Sequence, residues 1–335
     1  MRGGLACRRR VPHSPDHRRT HQRQGETTDQ TASPALPDAD LPVLFRSADT
    51  TAIEAQRLYL LAIRIRLYLL VLAAATGAVN VVVGRIDWSG FVGAAALVAA
   101  ALTELYLVRD QPDRRWYEGR AAAESAKTLG WRYAVGAEPF GVETLSGRDA
   151  DRLLIQRLDD VLIDLDDLAG ESTVGAGGQI TPAMRALRAA PLEVRRAVYE
   201  RGRIEEELRW YQTKGAWNQR RARQLTFAVL VFEIVGAIGG LLHAIGVDVN
   251  LLGVAAAGAA ALGLWLQTRQ HQALAHAYAV TAQELSSIRS LIQWQESEPE
   301  WSAFVDDAET AISREHTLWR AKRGLSERRS PRGPR

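Results

Sequence analysis

Charge disappears from the chain over four stretches that come in two pairs. Residues 67–83 read LYLLVLAAATGAVNVVV, and residues 91–108 read FVGAAALVAAALTELYLV, interrupted only by Glu104. Far downstream, residues 225–246 read LTFAVLVFEIVGAIGGLLHAIG and residues 249–266 read VNLLGVAAAGAAALGLWL. Roughly 17 to 25 mostly apolar residues in a helix suffice to cross a bilayer. None of the four keeps the polar stripe of a helix buried in a soluble bundle, so four spans are predicted. The links within the pairs are short, residues 84–90 in the first and 247–248 in the second. Each pair is therefore expected to form an antiparallel helical hairpin, with the rest of the chain on one side of the membrane.

Charge then sets the orientation. Arg57, Arg64, Arg66, Arg109, Arg114, Arg115 and Arg120 flank the first pair on that side, and Arg209, Lys214, Arg220, Arg221, Arg223 and Arg269 flank the second, against Arg85 alone in the hairpin loops. Positive charge stays on the cytoplasmic face. The expectation is a multi-pass membrane protein with both termini cytoplasmic. The first 60 residues hold no apolar core of signal-peptide length, so a cleaved leader is not expected.

Outside the spans the pattern is helical. Residues 47–66 form a helix running into the first span, and 113–133 another, in which Trp131 lies too far from the span to join an interfacial aromatic belt and is assigned to a bundle core. Leu154, Leu158, Val161, Leu165 and Leu168 recur at spacings of 4, 3, 4 and 3, the seam of a coiled coil. The aspartates among them lack calcium-loop spacing and read as a solvated face. Residues 171–179 are a flexible break, and Thr181-Pro182 opens the next helix. Dense mixed charge over 192–223 and an apolar side on 267–295 complete the helical set. The predicted fold is an all-α membrane protein: two transmembrane hairpins with long cytoplasmic helices forming a bundle or coiled coil.

Composition narrows the chemistry. Basic and acidic residues number 42 and 39, a balance that argues against a nucleic-acid-binding face. Nearly all the basic residues are arginine, a skew that also follows from GC-rich coding, so arginine is discounted as a functional signal. The single cysteine, Cys7, forms neither an internal disulfide nor a zinc site. No phosphate-cradling loop, paired-histidine metal helix or nucleophile elbow is present. No enzyme, metal or cofactor is predicted; the bilayer, and a homo-oligomer, are the partners.

The two pairs share an order of features. Gln56 and Tyr59 precede the first hairpin, and Trp116, Arg120, Glu124 and Lys127 follow it. Tyr211 and Gln212 precede the second, and Tyr278, Thr281, Ala282 and Glu284 follow it. The stretches WYEGRAAAESAKTLGWRY (116–133), QITPAMRALR (179–188), YERGRIEEELRWYQTKGAW (199–217) and 267–285 with AYAVTAQEL resemble the SLATT domains, two-transmembrane effectors associated with nucleotide-second-messenger and sensor modules. The resemblance implies two tandem units, at 41–150 and 192–313. They are joined by a helix and Gly-rich linker at 151–191, preceded by a disordered Arg-rich arm at 1–40 and followed by a basic tail at 314–335. It further implies a pore-forming effector of bacterial conflict or stress systems that kills or arrests the cell when a separate sensor protein of a nucleotide-signalling system fires. A non-conducting anchor that recruits cytoplasmic partners is the alternative.

Within the spans Glu233 is the leading pore or gate candidate, since an ionisable group at mid-membrane faces water or protein. A protonated glutamate bonded between helices is the competing reading. Glu104, His243 and Asn80 are lesser candidates: Glu104 can snorkel, and the other two lie toward the outer surface. Gly236 with Gly240, and Gly253 with Ala257 and Ala261, form small-residue faces for helix packing. Trp116, Arg120, Glu124, Trp131, Trp210, Tyr211, Tyr278 and Glu284 are candidates for coupling the cytoplasmic helices to the spans.

Overall fold

A computed structural model describes residues 36–79, 81–163, 177–247 and 251–327, with side chains through 313. Ten α-helices account for most of the described chain. α1 (Val43–Gly77) runs from a polar half into an apolar half without interruption, and at ~1.5 Å per residue its 35 residues span about 52 Å. A tight turn follows, in which β1 (Val82–Val83) and β2 (Ile86–Asp87) pair antiparallel with Val83 opposite Ile86. Gly84 takes the left-handed conformation this turn requires, φ +68°. Asp87 caps α2 (Trp88–Asp110), accepting from the Gly90 amide at 3.0 Å and the Ser89 hydroxyl at 2.5 Å.

α2 ends at Gln111, a non-glycine residue in the left-handed region (φ 41°), whose amide bonds to the Leu107 carbonyl at 3.2 Å. Pro112 then starts α3 (Pro112–Val135), which disfavours a right-handed conformation at Gln111 and forces a change of direction. α4 (Gly147–Ile163), α5 (Pro182–Arg188) and α6 (Leu192–Tyr199) follow. A π-helical turn, Glu200–Glu205, joins α6 to α7 (Glu206–Ala244), so that Leu192–Ala244 is one 53-residue helix. α8 (Leu252–Arg269) ends like α2, at a left-handed glutamine: Gln270 (φ 47°) bonds through its amide to the Leu266 carbonyl at 2.9 Å, and α9 (His271–Leu291) turns away from it. α10 (Glu298–Glu327) closes the described chain.

The sequence repeat is thus a structural one. In each unit a long helix packs along two shorter helices joined by an elbow, α1 along α2 and α3, and α7 along α8 and α9. The units meet where α1 crosses α8, and through α10, which lies on α3 and α9.

Two kinds of surface follow. Around the polar halves a core of Trp131, Tyr133, Phe140, Leu154, Leu158, Met184, Tyr199, Leu285 and Trp301 is closed to solvent. Around the apolar halves the large side chains point outward, Leu72, Val98, Phe227 and Leu241 among them. Three helices, Val43–Gly77, Trp88–Val135 and Leu192–Ala244, are long and apolar enough to cross a membrane, and only 17, 11 and 11% of their most apolar windows are buried. Such continuous apolar exposure suits hydrocarbon, not water, and the chain is an all-α membrane protein.

The expected elements shift in several places. The first span ends as a helix at Gly77, and 82–83 belong to the turn. The fourth is helical over Leu252–Arg269 with a polar last turn, leaving 15 apolar residues, about 22 Å of helix against a hydrocarbon core of roughly 30 Å. Leu154 and Leu158 are fully buried in the intrachain core, so that half of the predicted seam packs on α3 within its own chain. Leu165, Leu168, residues 171–176 of the break, the 1–40 arm except for its last five residues, and 328–335 of the tail lie outside the described residues.

Candidate functional site

The centre of the polar bundle is a buried charge cluster, and its hub is an arginine in the π-helical turn. A π turn inserts one residue into the helical repeat and re-aims the side chains around it. Here it points Arg203, 0% exposed, into the space between α3 and α10. Gly202 makes this approach possible: a Cβ there would stand 3.1 Å from the Trp131 ring.

Arg203 holds Glu309 of α10 with a two-pronged grip, Nε to Oε1 at 2.9 Å and Nη2 to Oε2 at 2.8 Å. Its Nη1 reaches Glu207 at 2.8 Å and its Nη2 reaches Glu124 of α3 at 3.1 Å. Glu309, also 0% exposed, accepts two further bonds, from the Tyr199 hydroxyl at 3.0 Å and the Thr128 hydroxyl at 2.9 Å. Two more cations reach the remaining acids: Lys127 lies 3.2 Å from Glu207 and 3.4 Å from Asp38, and Arg120 lies 3.2 Å from Asp49 of α1 and 4.0 Å from Glu124. Three edge-to-face rings, Trp131 on Tyr199 and Tyr199 on Trp301, wall the cluster in. The Trp301 indole N–H donates to the Val135 carbonyl at 2.9 Å.

The cluster lies outside the apolar stretches, and its electrostatics are self-consistent. Burial opposes the charge on Arg203, but Glu309, Glu207 and Glu124 together hold its pKa well above the ordinary value. Burial first, then Glu309, pushes the Tyr199 phenol well above its usual range. Each carboxylate touches a cation, and the arrangement suits a clamp: one guanidinium ties both units and α10 together. No group of three or more metal-binding side chains stands together among the described residues.

Two more buried arginines brace the same bundle. Arg195 donates to the Val135 carbonyl at 2.8 Å and pairs with Glu298. Arg188 bonds to the Phe140 carbonyl and lies over the Tyr133 ring, 5.3 Å from its centroid.

The predicted coupling residues fall around this centre. Glu124, Arg120 and Trp131 belong to it directly. Trp116 packs on Tyr59 of α1 and stacks on Tyr117 at 4.7 Å. Trp210, Tyr211 and Tyr278 form a second aromatic contact, with Tyr278 of α9 5.3 and 5.4 Å from the two rings of α7. Glu284 is half-buried on α9. Arg203, Glu309, Tyr199 and Trp301 were absent from the predicted set.

In the apolar region the two glutamates differ. Glu104 is paired with Arg66 at 2.8 Å. Glu233 is exposed on α7, with no hydrogen-bond or ion-pair partner among the described residues. His243 is exposed near the end of α7, and Asn80 lies outside the described residues. The α7–α8 contact uses small residues: Gly236 against Ala255, Gly239 against Leu251 and Gly258 against Phe232. A Cβ on Gly240 would stand 3.7 Å from Leu252, and Ala257 and Ala261 are half-buried, whereas Gly253 has open space beside it, so Gly239 and Gly258 take the contact where Gly253 was expected.

Two tandem hairpin units, each a long helix with an elbowed pair and both tied into one polar bundle, define a duplicated helical-hairpin architecture. The family comparison agrees with it: residues 42–196 match the SMODS and SLOG-associating 2TM effector domain 3, and residues 199–319 match the SMODS and SLOG-associating 2TM effector domain 1. The chain belongs to the SLATT family and carries two of its domains in tandem. The boundary falls in the helix that leads into the π turn, so the predicted 151–191 connector lies within the first match. No curated protein and no solved structure matches the chain.

Proposed function

We propose that the protein is an effector of a bacterial conflict or stress system that assembles in the inner membrane, both termini cytoplasmic, and opens a pore that kills or arrests the cell. The observation that carries this reading is the unpartnered Glu233. A carboxylate on the outer face of an apolar helix is expensive against lipid, and the chain satisfies its other intramembrane glutamate internally, through Arg66. A second copy covering the Glu233 face, with water between, removes that cost and produces a polar-lined path. α8 serves as the fourth span, its short apolar length met by local thinning of the bilayer. A separate sensor protein acts on the polar bundle, where the Arg203 clamp fixes the resting arrangement of the two units.

Membrane potential after induced expression tests the proposal. The expected result is rapid depolarisation that Glu233→Gln abolishes or strongly slows at equal membrane yield. Equal depolarisation by both forms removes Glu233 from the path. An unchanged potential with the chain in the membrane fraction favours the non-conducting scaffold.

A further inference from the structure

Most buried arginines of the polar bundle have a carboxylate. At the junction of the two hairpins an exposed arginine, Arg64, and a half-buried one, Arg269, lack one among the described residues. Arg64 of α1 and Arg269 of α8 lie 5.1 and 5.9 Å from the centroid of the same Trp265 ring. Neither has a carboxylate partner among the described residues. Burial and then the neighbouring Arg64 charge lower the pKa of Arg269, and only Tyr278 opposes them. The next cation, Arg221, stacks on Trp217 at 5.6 Å and adds to the positive field at His271, alongside Arg269. An indole shared by two guanidiniums offsets little of their repulsion, so the site holds uncompensated positive charge between the two units.

Its position says what supplies the missing charge. Trp265 and Leu266 end the apolar stretch of α8, and the Gln270 elbow follows at once. A recess of about 440 Å³ opens beside the elbow, lined by Leu266, Gln270, Gln272, Ala273 and His276 and by neither arginine. It offers amide groups beside an apolar wall. A free anion needs no such wall, whereas a phospholipid brings a phosphate and acyl chains together at this depth.

We propose that Arg64 and Arg269, which share the Trp265 ring, bind the headgroup phosphate of an anionic phospholipid that bridges the first and second SLATT units. The inference rests on α8 lying in the membrane, which is checked separately by recovery of each variant in the membrane fraction after alkaline washing; loss from that fraction overturns the membrane placement and the lipid site with it.

The test measures lipid retention by native mass spectrometry, and melting temperature, for the full chain in discs of phosphatidylcholine or of equal parts phosphatidylcholine and phosphatidylglycerol. At about fivefold per arginine, Arg64→Gln/Arg269→Gln is expected to weaken phosphatidylglycerol binding on the order of 30-fold. It also removes the rise in melting temperature that phosphatidylglycerol gives the native chain. In pure phosphatidylcholine the same variant is expected to melt no lower than the native chain, because a repulsion has been relieved; a lower value there overturns the like-charge argument. Arg220→Gln/Arg223→Gln removes equal charge away from Trp265, and an equal loss of binding in that variant identifies diffuse surface charge and overturns the site. Inorganic phosphate raising the melting temperature in detergent as far as phosphatidylglycerol does overturns the lipid as the source.

Discussion

Glu309→Ala is the sharpest perturbation of the clamp. Glu309 accepts four hydrogen bonds, two from Arg203, one from Tyr199 and one from Thr128. Truncation leaves a fully buried guanidinium with Glu124 and Glu207 only, and two buried hydroxyls without their acceptor. Removing one partner of a buried ion pair costs roughly 3–5 kcal/mol, and each orphaned buried donor adds about 1–3 kcal/mol when it finds no other acceptor, so the upper part of the first range is expected. The sequence position of Glu309 makes the loss local: it lies on α10, the last helix to join the bundle. Hydrogen exchange of the α10 amides therefore reads it directly, since opening of α10 breaks this contact. The expected acceleration is on the order of 10²–10⁴-fold, at about 1.4 kcal/mol per decade. Replacing both partners, Arg203→Met with Glu309→Leu, should recover much of the protection, because paired removal leaves no unmatched charge while Glu124 and Glu207 keep Arg120 and Lys127. Acceleration below tenfold in Glu309→Ala would refute the clamp, and would mean that the apolar face of Trp301, Val305, Ala308 and Ile312 holds α10 by itself.

Three further outcomes follow from the packing. Leu158→Ala should lower stability by roughly 2–5 kcal/mol, as for any fully buried leucine, whereas Ile155→Ala, exposed one turn earlier, should stay within about 0.5 kcal/mol; thermal melts of the two in one detergent separate them. Gly258→Val should destabilise the α7–α8 contact by about 1–3 kcal/mol, since even a Cβ there would stand 2.6 Å from the Phe232 ring, and the check is melting temperature and yield in the membrane fraction. His271 is buried, with Nδ1 2.6 Å from the Asn218 carbonyl oxygen, and burial, then Arg269 and Arg221, lower its pKa from 6.5 to about 4. The unfolded chain takes up this proton first as pH falls, so stability should drop between pH 6.5 and about 4 and level off below, by about 3 kcal/mol at the most. His271→Gln should flatten that part of the pH profile.

The spans were legible because runs of uncharged residues need no knowledge of their neighbours. Their ends were less so: whether 78–83 continue a helix or turn into β1 depends on the Asp87 cap and the Gly84 turn, which hydropathy does not record. The spacing of Leu154 and Leu158 suits a two-chain seam and a one-chain core equally, and only the position of α3 decides between them. Arg203 was hidden twice, by an arginine-rich composition that blunts the signal of any single arginine and by a π turn that shifts the register of the helical repeat. One clue was available: Tyr199, Arg203 and Glu207 stand four residues apart, a charge set between an aromatic and its own counter-ion. The α10 face was also readable, since Trp301, Val305, Ala308 and Ile312 recur at helical spacing.

The two elbows give each hairpin an unequal pair of connections. α1 runs without a break from the polar core into the apolar half, and the Leu192–Ala244 helix does so with one π turn at its polar end. α2 and α8 are joined to α3 and α9 through single left-handed glutamines, Gln111 and Gln270, which turn the chain at the edge of the apolar region. The two helices of each hairpin thus reach the polar bundle differently, one as a continuous helix and the other through an elbow. Between α7 and α8 the glycines let Ala255, Leu251 and Phe232 seat directly against the facing backbone, so that this pair of helices is held by close approach instead of by charge.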